Sequence, residues 1–595
     1  MNQRAPFVAV DDARPGHEHV TLFTQLTGTI TADEPDEIAG VFAAIERGLA
    51  QGLHVAGYFS YELGYALEPR LLPLMPQARR VPLLWFGLFR EREDFSGEEA
   101  TAALAERLTG RAYAGPLRLD ETAESYARRF NAVRSYIAAG DIYQANLTFR
   151  GRFAFVGDPL ALYLQLRARS RAGHGAYVDD GRHACLSLSP ELFFDIEQGA
   201  ITSKPMKGTC TRELGAAALR ASGKDRAENL MIVDLIRNDL GRIARTGSVT
   251  VEDLFAIESY PTLYQMVSTV RAELRPGLSP EAVVRALFPC GSVTGAPKIR
   301  AMEIIGELEM VARGLYCGAV GAFSPNGDAN FNVGIRTITI ADGQGGLGIG
   351  GGLVWDSECD GEFAECLLKA QYFVESRRPI SLIETLRYEK ESGFAHLPLH
   401  LARMARSASV FGLPFDERAA LNTLYKAVEA SSCLSRVRLE LGEHGSFRCE
   451  AAPLSASASG RNWTYAISER RVQSGDELLR HKTSWRELQD GEFTRLSKHT
   501  GCDEVIFLNE RDEITEGSRS NVFLRFGNRL ITPALSCGLL DGCLRRALLD
   551  DASMNCEEGI LRETDLERAD AIYLGNSLRG LMPAVPAAMK RLATA

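Results

Sequence analysis

The sequence predicts a mixed α/β (α+β) protein built as two units in series. Strand-like and helix-like runs alternate along most of the chain, and the alternation breaks at the charged, proline-terminated stretch Glu375-Ser-Arg-Arg-Pro379. A chain of 595 residues also exceeds what one hydrophobic core holds. The expected division is a first unit over 1–372, a linker at 373–380 and a second unit over 381–595, with no fixed-period repeat in either half.

Apolar residues make up 45% and charged residues 24%, the balance of an ordinary globular protein in water. The net charge of -10 argues against nucleic acid or an anionic membrane surface as a partner, since neither is drawn to it at long range. It leaves room for a local basic pocket that takes an acidic metabolite. The start Met1-Asn-Gln-Arg-Ala-Pro-Phe7 has no signal-like apolar stretch, and no run reaches the about 20 apolar residues that span a bilayer. Twelve cysteines lie scattered without a CxxC pair or metal-ligand spacing, which reads as free thiols in a reducing compartment, the cytoplasm by default.

Residues 40–90 alternate helix-like and strand-like runs around Gly57-Tyr-Phe-Ser-Tyr-Glu-Leu-Gly64, and 93–120, rich in Glu, Ala and Arg, reads as a solvated connection with some helix. Helical spacing runs from Glu124 to Gly140, where Gly140-Asp141 closes it before the strand Ile142-Tyr-Gln-Ala-Asn-Leu-Thr-Phe149. Asp225 and Glu228 stand three apart on a predicted helix, as do Glu362 and Glu365 on another. Facing each other, such pairs form an oxygen-rich Mg²⁺ site; the same spacing also fits two solvated helix faces. Between them Gly291-Ser-Val-Thr-Gly-Ala-Pro-Lys298 makes a sharp helix entrance, with Thr294 expected to cap the first turn and leave backbone N–H groups for an anion. It is not a Walker loop, because the Gly-Lys-Ser/Thr ending is absent. Gly334-Ile-Arg-Thr337 and Gly350-Gly-Gly352 add a candidate carboxylate clamp and a close backbone approach to ligand, each with a structural alternative.

Two lysines raise the same question, Lys207 in Lys204-Pro-Met-Lys-Gly-Thr209 and Lys482 in His481-Lys-Thr-Ser484: a nucleophile or an ordinary charge. In the second unit a lysine poised for an imine and a carboxylate such as Glu516 opposite a ring nitrogen make a sensible cofactor pair, though spacing alone does not bring them together.

The runs GDIYQANL, SPELFF, PMKGT, AENLMIVDLIRNDLGR, GSVTGAPK, GLYCGAVG, GIRT and GGGLVWDSECDGEFAE resemble the chorismate-utilising family, in its aminodeoxychorismate-synthase branch, over roughly 20–372. The resemblance implies an α/β sandwich of antiparallel sheets with a cleft between its halves. It implies a Mg²⁺ site at Asp225, Glu228, Glu362 and Glu365, with Asp225 shorter than the usual glutamate. Chorismate is then held by Thr294, Lys298, Tyr316, Arg336 and Gly350, Gly351 and Gly352. Gln144 stands where water-activating relatives carry lysine, and its amide is no general base. Lys207 stands where aminodeoxychorismate synthases carry lysine and anthranilate synthases usually carry alanine. The resemblance makes Lys207 the nucleophile and Glu191 the acid for the leaving hydroxyl. Gln265 departs from the pattern, replacing a histidine found in many relatives. The chain shows no glutaminase signature, so the resemblance implies a separate glutamine amidotransferase subunit as the source of ammonia.

The runs LIETL, HLARM, HKTSWR, DEVIFLNERDEITEGSRSN, TPALSCGLLDG and LGNSLRG resemble the fold-type IV pyridoxal-phosphate family, in its aminodeoxychorismate-lyase branch, over about 380–590. That implies a two-subdomain fold with a homodimer through this unit. Lys482 is then the pyridoxal 5'-phosphate lysine, Glu516 the pyridine-nitrogen partner and Arg403 a phosphate-binding arginine, with Asn576 and Ser577 on the cofactor side. Asp541 is unusually acidic for a phosphate-side segment, so its side chain is expected to point away. The joint expectation is a bifunctional enzyme running from chorismate through aminodeoxychorismate to 4-aminobenzoate. The alternatives are a general aminotransferase as second unit, an anthranilate synthase as first, and a scaffold that binds an amidotransferase.

Overall fold

The computed structural model describes residues 5–259, 263–454 and 461–587. The first unit is one continuous antiparallel sheet that folds over on itself. It runs from the strand Gln144–Gly157 through Gln344–Leu353, Thr337–Ala341, Ala184–Ser189 and His174–Asp179 to Phe7–Asp12. From there it continues through His19–Ala32, Leu84–Ser96, His54–Phe59, Ala319–Phe323 and Ala329–Val333 to Leu192–Glu197, Ala200–Lys204 and Leu263–Glu273. So many twisted strands do not stay flat. The two arms close over Val8, Tyr58, Trp85, Val178 and Val320.

Helices cover both outer faces. On one arm Ile38–Ala50 buries Ile38, Val41, Phe42 and Ile45, the spacing of a single helical stripe. The other arm carries Ala123–Ala138, started by a Thr122/Ser125 capping box, together with Cys359–Val374. This is the antiparallel sandwich expected from the sequence.

One buried ion pair ties the candidate site to this frame. Glu309 accepts from the Thr148 N–H (2.8 Å) and hydroxyl (2.9 Å) and from Arg313 Nε (2.8 Å) and Nη2 (2.6 Å). Arg313 also donates to the carbonyls of Val293 (2.9 Å) and Asn146 (2.6 Å), and its guanidinium lies over the Tyr61 ring. Both side chains are almost wholly buried, so the pair persists because each charge is fully hydrogen-bonded.

The second unit has two subdomains. A four-stranded antiparallel sheet of Gly393–Phe394, Leu382–Glu389, Ser435–Leu441 and Phe447–Pro453 packs on the helices Leu397–Phe411 and Glu417–Val428. An eight-stranded mixed sheet follows, with Trp463–Val472 parallel to both Glu504–Asn509 and Gly580–Pro586. The 445–475 stretch thus supplies two strands, Phe447–Pro453 and Trp463–Val472. Phe447–Pro453 is mostly exposed, so little apolar alternation was there to read, and 455–460 lie outside the described residues.

The helix Cys359–Val374 runs past position 372 because Phe373 is buried against Phe153, with ring centroids 4.4 Å apart. The connection after it is pinned, not slack. Arg377 donates to the Ala114 carbonyl (3.0 Å) and pairs with Glu443 (2.9 Å). Tyr113 and Val156 of the first unit are buried with Phe411, Leu478 and Trp485 of the second. Among the described residues no helix is long and apolar enough to cross a membrane.

Arg313→Ala should cost about 3–5 kcal/mol, because it leaves Glu309 buried and uncompensated, whereas replacing both partners by methionine should cost less. Denaturant unfolding of the three proteins checks this; a double variant less stable than Arg313→Ala would refute it.

Candidate active sites

The first site forms where the two arms of the sheet meet. Pairing of Gln344–Leu353 with Gln144–Gly157 sets Gly350 opposite Thr148, Gly351 opposite Leu147 and Gly352 opposite Asn146. A Cβ on Gly352 would lie 2.6 Å from Gln144 Nε2 and 2.9 Å from Lys207 Nζ, so the missing side chain is what lets both groups in. Lys207 comes from the strand Met206–Thr211, and burial pulls its amine below the usual lysine range, helped by Lys369 and opposed by Glu228 and Glu191. Gln144 is wholly buried with neither amide atom partnered among the described residues, an arrangement that costs about 1–3 kcal/mol.

Glu191 completes the group. Burial raises its carboxyl to about 7, against hydrogen bonding from the Ser292 hydroxyl and the Met206 N–H and the nearby Lys207 charge. Its Oε1 is buried and has no hydrogen-bond partner among the described residues. A carboxyl near neutrality beside an amine of lowered basicity can give a proton while the amine attacks. Ser292 was not singled out from sequence, although it sits inside Gly291-Ser-Val-Thr-Gly-Ala-Pro-Lys298. Gln265 pairs across from Thr209, two residues beyond Lys207, so it stands next to the Lys207 segment.

Of the four acidic residues, Glu228 on one helix and Glu362 on the other feel each other's charge. Burial raises the Glu228 carboxyl, with Asp225 and Glu362 adding to the rise. Glu362 accepts from the Ser357 hydroxyl (2.6 Å), and Glu365 pairs with Lys369 (2.9 Å), which also donates to the Gly350 carbonyl (3.0 Å). Carboxylates from two helices supply the oxygen donors a divalent cation takes, and a cation would relieve the charge of Asp225 and Glu362 on Glu228, although these groups do not gather within 4.8 Å of one another. Lys369 is a second residue missed from the sequence; only its position one turn after Glu365 marked it.

Other expected contacts come out differently. Thr294 does not cap the helix Lys298–Leu308, whose N-cap is Pro297; its hydroxyl donates back to the carbonyls of Cys290 (3.1 Å) and Gly291 (3.2 Å). It lies too far ahead of the helix, as the C-cap of the short 3₁₀ turn Gly291–Val293. Lys298 is held by Asp239 (2.6 Å) and the Leu287 carbonyl (2.8 Å), so its charge serves the fold first. Tyr316 packs against Gly348, where a Cβ would lie 2.0 Å from its ring, and burial keeps its phenol protonated. Arg336 takes a left-handed backbone (φ 48°), a strained choice for arginine that turns the chain between two strands.

The second site lies between the two subdomains. Lys482 follows the short helix Glu477–Arg480, and its carbonyl accepts from the Ile383 N–H (2.8 Å), which pins it to the smaller sheet. Burial lowers its amine to about 8, with the Arg403 charge adding to the effect. From the larger sheet Glu516 faces it, raised by burial to about 7 and accepting from the Leu540 N–H (3.2 Å). Arg403 spends three of its five donors on Glu384 Oε1 (2.9 Å), Glu384 Oε2 (2.6 Å) and the Asp541 carbonyl (3.0 Å). Burial opposes ionisation of Glu384, yet Arg403 and the His400 hydrogen bond (2.6 Å) hold it at about 2.

These residues fit pyridoxal phosphate. A buried amine of lowered basicity stands between an arginine and a buried carboxyl, and the helix Cys543–Asp550 opens at Gly542 with no side-chain cap. A Cβ on Gly542 would meet Asn521 Oδ1 at 1.9 Å, so the close turn there requires glycine. The Asp541 carboxylate is paired with Arg545 (3.1 Å) and Arg546 (2.8 Å), which neutralises the acid in place. Asn576 is used by its own turn, accepting from the N–H groups of Leu578 and Arg579 (both 3.1 Å) and donating to the Arg519 carbonyl (3.3 Å); Ser577 lies beside it. Glu384, His400 and Cys543 also cluster within 4.8 Å. The Arg403 guanidinium already neutralises Glu384, so this is no attractive cation site.

The family described as chorismate binding enzyme matches residues 5–375, and the one described as amino-transferase class IV matches 381–585. Aminodeoxychorismate synthase component 1 of Escherichia coli (strain K12) is 44% identical over 251 residues, covering 41% of this chain and 55% of that protein. The Klebsiella aerogenes protein of the same name is 40% identical over 334 residues, covering 52% of this chain and 74% of its own length. The chain thus spans just over half of the first relative and about three quarters of the second. The crystal structure of anthranilate synthase component I from Streptococcus pneumoniae TIGR4 superposes with a TM-score of 0.52 at 24% identity, over 59% of this chain and 91% of that one, a likeness of fold. The chain belongs to the chorismate-binding enzyme family and carries, after that domain, a unit matching class IV aminotransferases.

Proposed function

We propose that the protein makes 4-aminobenzoate from chorismate and ammonia in two steps, one in each unit. The observation that carries the first step is Lys207 Nζ lying against the bare face of Gly352, with the Glu191 carboxyl, raised by burial to about 7, beside it. The Lys207 amine attacks ring C2, the double bond shifts, and the C4 hydroxyl leaves as water with the Glu191 proton. Ammonia then adds at C4, the double bond shifts back and the lysine is released, giving aminodeoxychorismate. Gln144 binds and orients the substrate, and its amide activates no water. Mg²⁺ would be held by Asp225, Glu228, Glu362 and Glu365, where it would cover a substrate carboxylate. The relatives' printed name, component 1, supports a separate glutamine amidotransferase as the ammonia source.

In the second unit Lys482, Glu516 and Arg403 would hold pyridoxal phosphate, with Asn576 and Ser577 at the edge of its pocket. When bound, the cofactor withdraws electrons from the carbon that bears the substrate amine. Lys482 moves the C4 proton, and Glu516 holds the charge at the ring nitrogen. Loss of the C3 side chain as pyruvate leaves the aromatic 4-aminobenzoate. No oxidant is needed, and pyruvate and 4-aminobenzoate together account for every atom of aminodeoxychorismate.

Purified protein given chorismate, Mg²⁺, pyridoxal phosphate and ammonium should yield 4-aminobenzoate and pyruvate without a keto-acid acceptor, and Lys482→Ala should accumulate aminodeoxychorismate, both read by mass and chromatography. Anthranilate as the main product would overturn the first step, and a need for a keto acid the second. Lys207→Ala should lower aminodeoxychorismate formation by roughly 100-fold or more while supplied aminodeoxychorismate is still converted; a wild-type rate would remove Lys207 as nucleophile. The acid form of Glu191 is lost as pH rises through about 7, so kcat/KM of the amination step should fall on the alkaline side of that value. Glu191→Gln should lower the rate about 100-fold and abolish that limb; an unchanged pH profile would assign the proton to another group.

A further inference from the structure

The segment that carries Lys482 is gripped from outside its own unit. Arg111, in the first unit, donates from Nε to Asp476 Oδ2 (2.7 Å) and from Nη1 to the Trp485 carbonyl (3.4 Å). These two acceptors bracket Lys482. Asp476 is the N-cap of the short helix Glu477–Arg480, its Oδ1 accepting from the Leu478 N–H (3.0 Å); the helix ends at His481, and Lys482 comes next.

The arginine is itself presented by a braced loop. Its carbonyl accepts from the Asp158 N–H (2.9 Å), and Asp158 in turn accepts from the Thr109 N–H (2.8 Å) and hydroxyl (3.1 Å). The surfaces around it are in close contact: a Cβ on Gly110 would lie 2.8 Å from the Asp476 backbone, and one on Gly157 would lie 3.0 Å from the Leu478 side chain. Tyr113 packs edge-on against Trp485, with centroids 6.1 Å apart.

We propose that Arg111 is a positioning residue for Lys482, so that the first unit sets where the second unit's reactive amine stands. The proposal rests on the reading of Lys482 as the pyridoxal-phosphate lysine. A four-residue 3₁₀ helix has little stability of its own, and its cap is the group that Arg111 orients. Without that restraint, residues 476–485 sample more conformations. Cofactor affinity then falls by the fraction of chains in which Lys482 is correctly placed. Asp476 is 9% exposed and Arg111 37%, so the effect is that of a half-shielded pair.

The test uses the full chain with Arg111→Ala, Arg111→Lys, Asp476→Asn and the Ala/Asn double variant. In cofactor-free protein, amide exchange across 477–485 should accelerate in Arg111→Ala. The pyridoxal-phosphate dissociation constant, by equilibrium dialysis, should rise roughly two- to fivefold. Arg111→Lys should recover part of both effects, since an ammonium reaches Asp476 but does not also hold the Trp485 carbonyl. The double variant should add little to the single ones, and aminodeoxychorismate formation should stay at the wild-type rate. Unchanged affinity, with or without faster exchange, overturns the proposal alone. A wild-type protein that takes up no pyridoxal phosphate overturns the reading of the second unit, and the proposal with it.

Discussion

The first site depends on the buried pair Glu309–Arg313. One carboxylate and one guanidinium join the strand Gln144–Gly157, through Asn146 and Thr148, to the turn at Val293. Those two stretches carry Gln144 on one side and Ser292 and Thr294 on the other. With both ions stripped of water, the pair is stable only in a geometry that satisfies every donor and lone pair. It therefore works as a ruler: the strand and the turn cannot slide relative to each other without exposing a charge to apolar surroundings.

Inside that frame, chemistry is set by what is missing as much as by what is present. Gly352 has no side chain, and the space goes to the Lys207 amine and the Gln144 amide. Burial then acts on two groups in opposite senses, lowering the basicity of Lys207 and raising the carboxyl of Glu191 to about 7. The same logic recurs in the second unit, with Lys482 lowered to about 8 and Glu516 raised to about 7. In each case desolvation penalises the charged form, pulling the amine down and the carboxyl up.

Much of this was legible in the sequence. The strand–helix alternation and the break near Pro379 announced two units, and the motifs around Lys207, Glu191, Lys482 and Glu516 pointed to residues that the fold does bring together. Thr294 and Lys298 were harder to read. A threonine before a helix and a lysine at its start fit a cap and an anion site, but which partner each takes depends on Cys290, Gly291, Leu287 and Asp239 packed against them. Asn576 likewise turned out to satisfy its own turn. Polar side chains take the nearest satisfied geometry, and the linear sequence does not say what is near.

The sequence by itself determined much of the local grammar: which well-patterned stretches are strands and helices, and which side chains have the chemistry to attack, protonate or hold a cofactor. Those follow from apolar periodicity and residue type, which are properties of neighbouring positions. Only the tertiary structure decided the protonation tendencies, the partners of Lys298 and Thr294, and the grip of Arg111 on the segment around Lys482. Those depend on burial and on charges far apart in the chain, and desolvation comes into being only when the chain has closed over itself.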